Sequence, residues 1–176
     1  MSSLTSPERV WWKPLDKREK VWISLAFAWC LVLSFGMVVW MGVGRQNIPT
    51  ETYRTTPAQF AALSTDFIAK YQVGTENGVP VVRPPAGGDV YLAARTWQWS
   101  PILELKAGST YRVHMSSMDL QHGFSLQPGN LNFMVLPGYD YVITLTPDKA
   151  GQYDVICNEY CGPGHQVMVG KIKVTE

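Results

Sequence analysis

"CNEYCGPGHQVM" occupies residues 157–168. It holds two of the chain's three cysteines, one of its three histidines and a methionine. Cys157, Cys161 and His165 follow one another at intervals of four, and Met168 stands three further on. Gly162, Pro163 and Gly164 exclude a helix, so the stretch is a loop. It lies between "YDVI" and "GKIKV", two short runs rich in β-branched residues that read as strands. A loop between two strands at the end of a barrel can bring several side chains to one point. Thiolate, imidazole and thioether are soft or borderline donors and suit copper. A hard cation would want carboxylates and carbonyls instead.

Working outward, "DVYLAAR", "ILELK", "STYRVHMSS", "NFMVLPG", "YDYVITLT", "GQYDVIC" and "GKIKV" are short and bounded by Gly, Pro, Asn or Asp. Strands this closely spaced predict an all-β sandwich or small barrel over residues 88–176. Residues 45–87 read as a connector. Within it, "GTENGVPVVRPPAGG" (residues 74–88) reads as a turn-rich linker. "TTPAQFAALSTDFIAKYQV" predicts a short amphipathic helix, with Thr56 as cap, Pro57 at the first position and Gln59 closing a capping box. Its apolar face of Phe60, Leu63, Phe67, Ile68 and Tyr71 suits a membrane surface, a partner or the chain's own domain.

Residues 21–44, "VWISLAFAWCLVLSFGMVVWMGVG", contain 24 residues and no charge. As a helix they would extend about 36 Å, against about 30 Å of bilayer hydrocarbon. The apolar run exceeds that of a cleaved signal and lacks a small-residue cleavage site, so an uncleaved membrane anchor is expected. Trp22 and Trp40 lie near its two ends, where indoles favour the interface. Arg9, Lys13, Lys17, Arg18 and Lys20 precede the span, whereas Arg45 and Arg54 follow it closely. The positive-inside rule then puts residues 1–20 in the cytoplasm and the β domain in the periplasm or outside the cell, across the cell (inner) membrane. Cys157 and Cys161 would face an oxidising compartment. Cys30, in mid-span, reads as a small apolar filler. Fifteen basic against fourteen acidic residues leave no basic excess, which argues against a nucleic-acid partner.

A copper in the loop needs a further nitrogen ligand. His122, in "SSMDLQHGFSL" just past a strand end, is better placed than His114, which reads as an ordinary strand residue. Other readings of the loop stand beside copper. The cysteine pair alone suggests a disulfide. Zinc would use the cysteines and histidines but has no need of methionine. A single blue-copper centre would use Cys161, His165, Met168 and His122, leaving Cys157 surplus. Two thiolates bridging two coppers, each with one histidine, use both cysteines.

At these residues the chain resembles subunit II of the haem-copper oxidases, the CuA subunit of cytochrome c oxidase. The family pattern C-x-E-x-C-G-x-x-H-x-x-M matches "CNEYCGPGHQVM", and S-x-D-x-x-H-G-F matches "SMDLQHGF", both without gaps. The resemblance covers residues 88–176, and the single N-terminal anchor is similar to that of the B family. It implies an all-β cupredoxin Greek-key barrel outside the membrane with one N-terminal transmembrane helix. It implies a dinuclear CuA centre bridged by Cys157 and Cys161. One copper would be completed by His122 and Met168, and the other by His165 and the carbonyl of Glu159. The Glu159 side chain would either also reach a magnesium ion at the boundary with subunit I or stand as a solvated loop charge.

The implied role is uptake of electrons from cytochrome c and their delivery to a polytopic haem-copper subunit I that reduces oxygen to water. The chain itself lacks a haem motif and has too few histidines for that chemistry. The same subunit could serve a nitric oxide reductase, or the chain could be a membrane-tethered copper carrier. In "ARTWQWSP", Trp97 and Trp99 alternate with Gln98 and would share one face of a strand. They form either barrel core or, as the resemblance implies, the patch where electrons arrive. Beyond the anchor, residues 46–176 carry eleven acidic and nine basic side chains, so steering of a basic donor would be modest and docking would lean on apolar contact.

Overall fold

The computed structural model describes residues 14–44 and 49–176. The chain divides into two units, Met1–Gln46 and Asn47–Glu176. In the first, helix α1 spans Lys17–Val43. Asp16 caps it: its carboxylate accepts from the Glu19 amide at 2.8 Å, and Glu19 accepts from the Asp16 amide at 2.9 Å. The helix is long and apolar enough to cross a membrane, and no residue in it is buried. That is consistent with a membrane-anchored subunit. Arg9, Lys13 and Arg45, on which the orientation partly rests, lie outside the described residues.

The second unit is built on two β-sheets. The strands are β1 (Glu51–Arg54), β2 (Gln72–Glu76), β3 (Val79–Val82), β4 (Asp89–Arg95), β5 (Gln98–Ser100) and β6 (Ile102–Lys106), then β7 (Tyr111–Ser117), β8 (His122–Gln127), β9 (Leu131–Val135), β10 (Tyr139–Leu145), β11 (Gly151–Ile156) and β12 (Val169–Thr175). One sheet has the order β1-β10-β7-β4-β5 and the other β2-β3-β6-β12-β11-β8-β9. Alternate residues of both sheets meet in one core. Val90, Leu92, Val113, Met115 and Ile143 from the first pack with Leu103, Leu105, Phe124, Val155 and Ile172 from the second. Two packed sheets of this kind agree with the cupredoxin-like fold expected from the sequence.

The segment read as a connector is woven into this unit. Helix α2 (Pro57–Tyr71) starts as expected, with Thr56 Oγ1 accepting from the Gln59 amide at 3.2 Å and Gln59 Oε1 accepting from the Thr56 amide at 3.0 Å. It buries Phe60, Ser64 and Phe67, and both phenyl rings meet Tyr91 of β4 edge-on, at 5.8 and 5.6 Å. Its apolar face therefore packs on its own domain, while Leu63 points to solvent. The stretch read as a linker contains the hairpin β2–β3, turned at Asn77 and Gly78 with φ of 51° and 81°. Two consecutive residues with positive φ make the tight turn that an Asn-Gly pair favours.

Candidate metal centre

The site forms where β8 begins and where the loop between β11 and β12 closes over it. Strand β11 delivers Cys157, and the loop returns through a single 3-10 turn, His165–Val167, into Met168 and β12. The loop is pinned at its neck, where the Cys157 amide donates to the Met168 carbonyl at 3.1 Å. His122 is the first residue of β8 and is buried. Strand β8 approaches the loop so closely that a Cβ on Gly123 would lie 2.0 Å from Asn158 Oδ1 and 2.7 Å from the Glu159 nitrogen. No larger residue fits there.

The donor atoms converge. Cys157 Sγ and Cys161 Sγ are 3.6 Å apart, and both cysteines are free thiols. His122 Nδ1 lies 3.8 Å from Cys157 Sγ, and His165 Nδ1 lies 3.7 Å from Cys161 Sγ. Met168 Sδ is 3.8 Å from Cys161 Sγ, and the Glu159 carbonyl oxygen is 3.3 Å from Cys157 Sγ. The ligand atoms of His122, Cys157 and Cys161 all lie within 4.8 Å of one another. Two donors about 2.0–2.3 Å from one tetrahedral metal are roughly 3.3–3.8 Å apart, so these separations fit shared coordination. A sulfur–sulfur bond would need about 2.05 Å.

Electrostatics favour a cation here. Burial pushes the Cys161 thiol up to about 11, and its hydrogen bond with Cys157 adds to the shift. A thiolate at this position needs positive charge beside it, and binding a metal would displace the proton. His122 is oriented from behind: its Nε2 hydrogen-bonds Asp119 Oδ1 at 2.9 Å, which leaves Nδ1 facing the sulfurs. Burial pushes the Asp119 carboxyl upward. Hydrogen bonds from His122, from the Thr96 and Leu120 amides and from the Thr96 hydroxyl outweigh it and hold the group well below the usual carboxylate range.

The two tryptophans separate. Trp97 sits in the turn before β5 and is 41% exposed, whereas Trp99, inside β5, is 2% exposed. The alternation that would put both on one face holds only within a strand, and Trp97 precedes it. Its indole lies over the metal loop, where a Cβ on Gly164 would come within 2.3 Å of the ring. Its Nε1 donates to the Cys161 carbonyl at 3.1 Å. Trp99 instead backs the site, edge-on to His122 at 6.3 Å and to Phe124 at 5.8 Å.

His114 lies away from this cluster, buried against β4 and β10. Its Nδ1 hydrogen-bonds Asp140 at 2.7 Å, its Nε2 meets Asp89 at 3.3 Å, and its ring stacks on Tyr91 at 4.8 Å. Asp119 was missing from the sequence-based set. Its place three residues before His122 is the signal that could have marked it.

No family model matches the chain. The chain is 39% identical over 88 residues to cytochrome c oxidase subunit 2 of Thermus thermophilus, a match covering 49% of this chain and 65% of that one. A second subunit 2 from the same species matches over 52% of its length, so the chain spans less than two thirds of these curated relatives. Among solved structures, a chain from a heme-copper terminal oxidase dimer shares 26% identity with a TM-score of 0.54, covering 90% of this chain and 100% of that one. Rusticyanin from Thiobacillus ferrooxidans shares the fold at 20% identity and a TM-score of 0.53, over 73% of this chain and 99% of that one.

Proposed function

We propose, because this chain belongs to the cytochrome c oxidase subunit 2 family, that it is the electron-uptake subunit of a membrane haem-copper oxidoreductase. The observation that carries this reading is the thiol pair at 3.6 Å with one imidazole nitrogen beside each sulfur, at 3.8 and 3.7 Å. That donor set suits two copper ions better than one. Cys157 and Cys161 would hold the two ions together, with His122 and Met168 serving one and His165 and the Glu159 carbonyl the other. When bound, the pair supplies a one-electron couple whose charge is shared over two metals and two sulfurs.

The chain's own residues do the rest. The pinned loop and the abutting β8 hold the donors in nearly fixed positions, so little need move when the charge changes. Met168 and the enclosing Trp99 and Phe124 would keep water out, and thioether donation and burial would tune the potential of a bound metal. Trp97 presents an exposed aromatic face one hydrogen bond from Cys161, which suits contact with a cytochrome c. Trp99 is enclosed and serves behind His122. Burial of Cys157, Cys161, Met168 and His122 favours a resident group over cargo, since a carrier exchanges its ion through an open site.

Helix α1 anchors the subunit with residues 1–20 in the cytoplasm, and the β unit meets a polytopic haem-copper subunit where oxygen is reduced. By the family resemblance, we assign the half-buried Glu159 carboxylate to a magnesium ion at that boundary. The test uses the assembled complex, driven by reduced cytochrome c. Cys161→Ser is expected to abolish cytochrome-driven oxygen consumption while a small reductant that feeds the haems directly still supports it. Wild-type turnover in that variant would contradict the proposal, and uptake of nitric oxide in place of oxygen would reassign the complex.

A further inference from the structure

We propose that Asp119 is a positioning residue whose single carboxylate locks the turn carrying Trp97 to His122, so that the exposed indole and the metal-facing imidazole are held as one unit. The inference deepens the copper reading above and rests on it for its role in electron uptake, but the lock itself is a property of the protein alone.

The carboxylate is fully engaged on both oxygens. Oδ2 accepts from the Thr96 amide at 2.7 Å and from Thr96 Oγ1 at 2.8 Å. Oδ1 accepts from the Leu120 amide at 2.7 Å and faces His122 Nε2 at 2.9 Å. Thr96 directly precedes Trp97, and Trp97 Nε1 donates to the Cys161 carbonyl at 3.1 Å. The contacts therefore close a ring. It runs from Trp97 through Thr96 and Asp119 to His122, across Cys157 Sγ at 3.8 Å to Cys161 Sγ at 3.6 Å, and back through the Cys161 carbonyl. Ser117 steadies the acid, its Oγ accepting from the Asp119 amide at 3.3 Å. The ends of the supporting strands are joined as well, since the Met118 amide donates to the Ala94 carbonyl at 2.9 Å.

A carboxylate is the group this position requires. Besides Ser117 Oγ, 3.4 Å from Oδ1, four donors converge on two oxygens, and an amide offers only one oxygen and adds an NH2 that faces donors. Asp119→Asn must therefore release either the Thr96 end or the His122 end. Charge matters as well, because hydrogen bonds to an ionised acceptor are about twice as strong as neutral ones. Asp119 also selects the His122 tautomer with hydrogen on Nε2, the one that leaves Nδ1 free to bind metal.

The test is made on the full chain in detergent, first without metal. Nitrogen-15 histidine spectra should show His122 with its proton on Nε2 in the wild type and a mixed population in Asp119→Asn. Hydrogen exchange at the Thr96 and Trp97 amides should rise at least tenfold in that variant. Thr96→Val, which removes one donor and keeps the branched shape, should speed the same exchange by a smaller factor. If Asp119→Asn does not fold, Thr96→Val carries the test, and unchanged exchange in it overturns the proposal. With copper added, Asp119→Asn should bind the metal more weakly and alter the histidine hyperfine couplings and the reduction potential. A lower melting temperature with unchanged tautomer, exchange and couplings would overturn the lock. Failure of the wild type to take up copper would overturn the function proposed above and leave the metal-free measurements to judge Asp119.

Discussion

Trp97 Nε1 donates to the Cys161 carbonyl at 3.1 Å, which puts an exposed indole in direct contact with the backbone of a residue whose sulfur lies in the metal centre. The ring is held by this bond and by the glycine surface of the loop beneath it. A partner that meets Trp97 is thus one hydrogen bond and one residue from the site.

Removing that face should impair electron uptake without disturbing the metal. An aromatic anchor at the centre of an interface commonly contributes about 2 kcal/mol or more to docking. Trp97→Ala is expected to slow reduction by cytochrome c at least tenfold at sub-saturating donor, with copper content and spectrum unchanged. Trp97→Phe, which keeps a ring but loses the N–H donor, should fall between. Stopped-flow reduction of the complex reads both, and a wild-type rate in Trp97→Ala would remove Trp97 from the path.

Met168 is buried, with its sulfur 3.8 Å from Cys161 Sγ. Leu is close in volume, and such buried exchanges usually cost less than about 1.5 kcal/mol. Met168→Leu should therefore fold and keep its copper. Losing a weak sulfur donor disfavours the oxidised form, so the reduction potential should rise. Protein-film voltammetry measures the shift. Loss of copper with no change of potential in the remainder would make Met168 a retention residue instead.

The buried His114 links stability to pH. Burial alone lowers its pKa, but the hydrogen bonds and charges of Asp140 and Asp89 outweigh that and raise it above the ordinary 6.5. Asp89 is also paired with Arg112, which in turn pairs with Glu51 on β1, and Tyr91 stacks on the ring. A histidine whose folded pKa is raised contributes stability that is fully present below the unfolded value and is lost as pH rises through the folded one. Thermal unfolding of the full chain should thus show stability falling as pH rises from about 6.5 through the folded value. His114→Gln should remove that slope and cost about 3–5 kcal/mol by leaving Asp140 buried without its partner. A slope that survives the substitution would point to another group.

Helix α2 is predicted to be a structural part of the β unit. Phe60 is fully buried and meets Tyr91 edge-on at 5.8 Å. Phe60→Ala should destabilise the unit by about 3–5 kcal/mol, read by denaturant unfolding of the full chain. A change below about 1 kcal/mol would mean that the helix docks only loosely.

These cases mark what local sequence carries. The metal loop was legible because its donors are close in sequence and its glycines and proline forbid a helix. Most strands were legible from their turn residues. Strand β8 was missed because "HGFSLQ" is buried on both faces over His122–Leu126, which erases the alternation that marks a half-exposed strand. The β2–β3 hairpin was missed although Asn77-Gly78 is its turn signal, because the surrounding Gly and Pro residues read as linker. Trp97 and Trp99 parted because a turn residue does not obey strand periodicity. The carboxylate partners of His114 and the Thr96 partner of Asp119 lie on neighbouring strands or turns 23 to 26 residues away in the chain, and only register brings them together.

The central claim is that Cys157 and Cys161 hold two coppers that share one unpaired electron, and paramagnetic resonance of the copper-loaded full chain tests it most directly. Two coppers per chain and a seven-line hyperfine pattern from an electron coupled equally to two nuclei are expected, the pattern being lost in Cys157→Ser. A four-line pattern with one copper per chain, or a seven-line pattern that persists in Cys157→Ser, would contradict it.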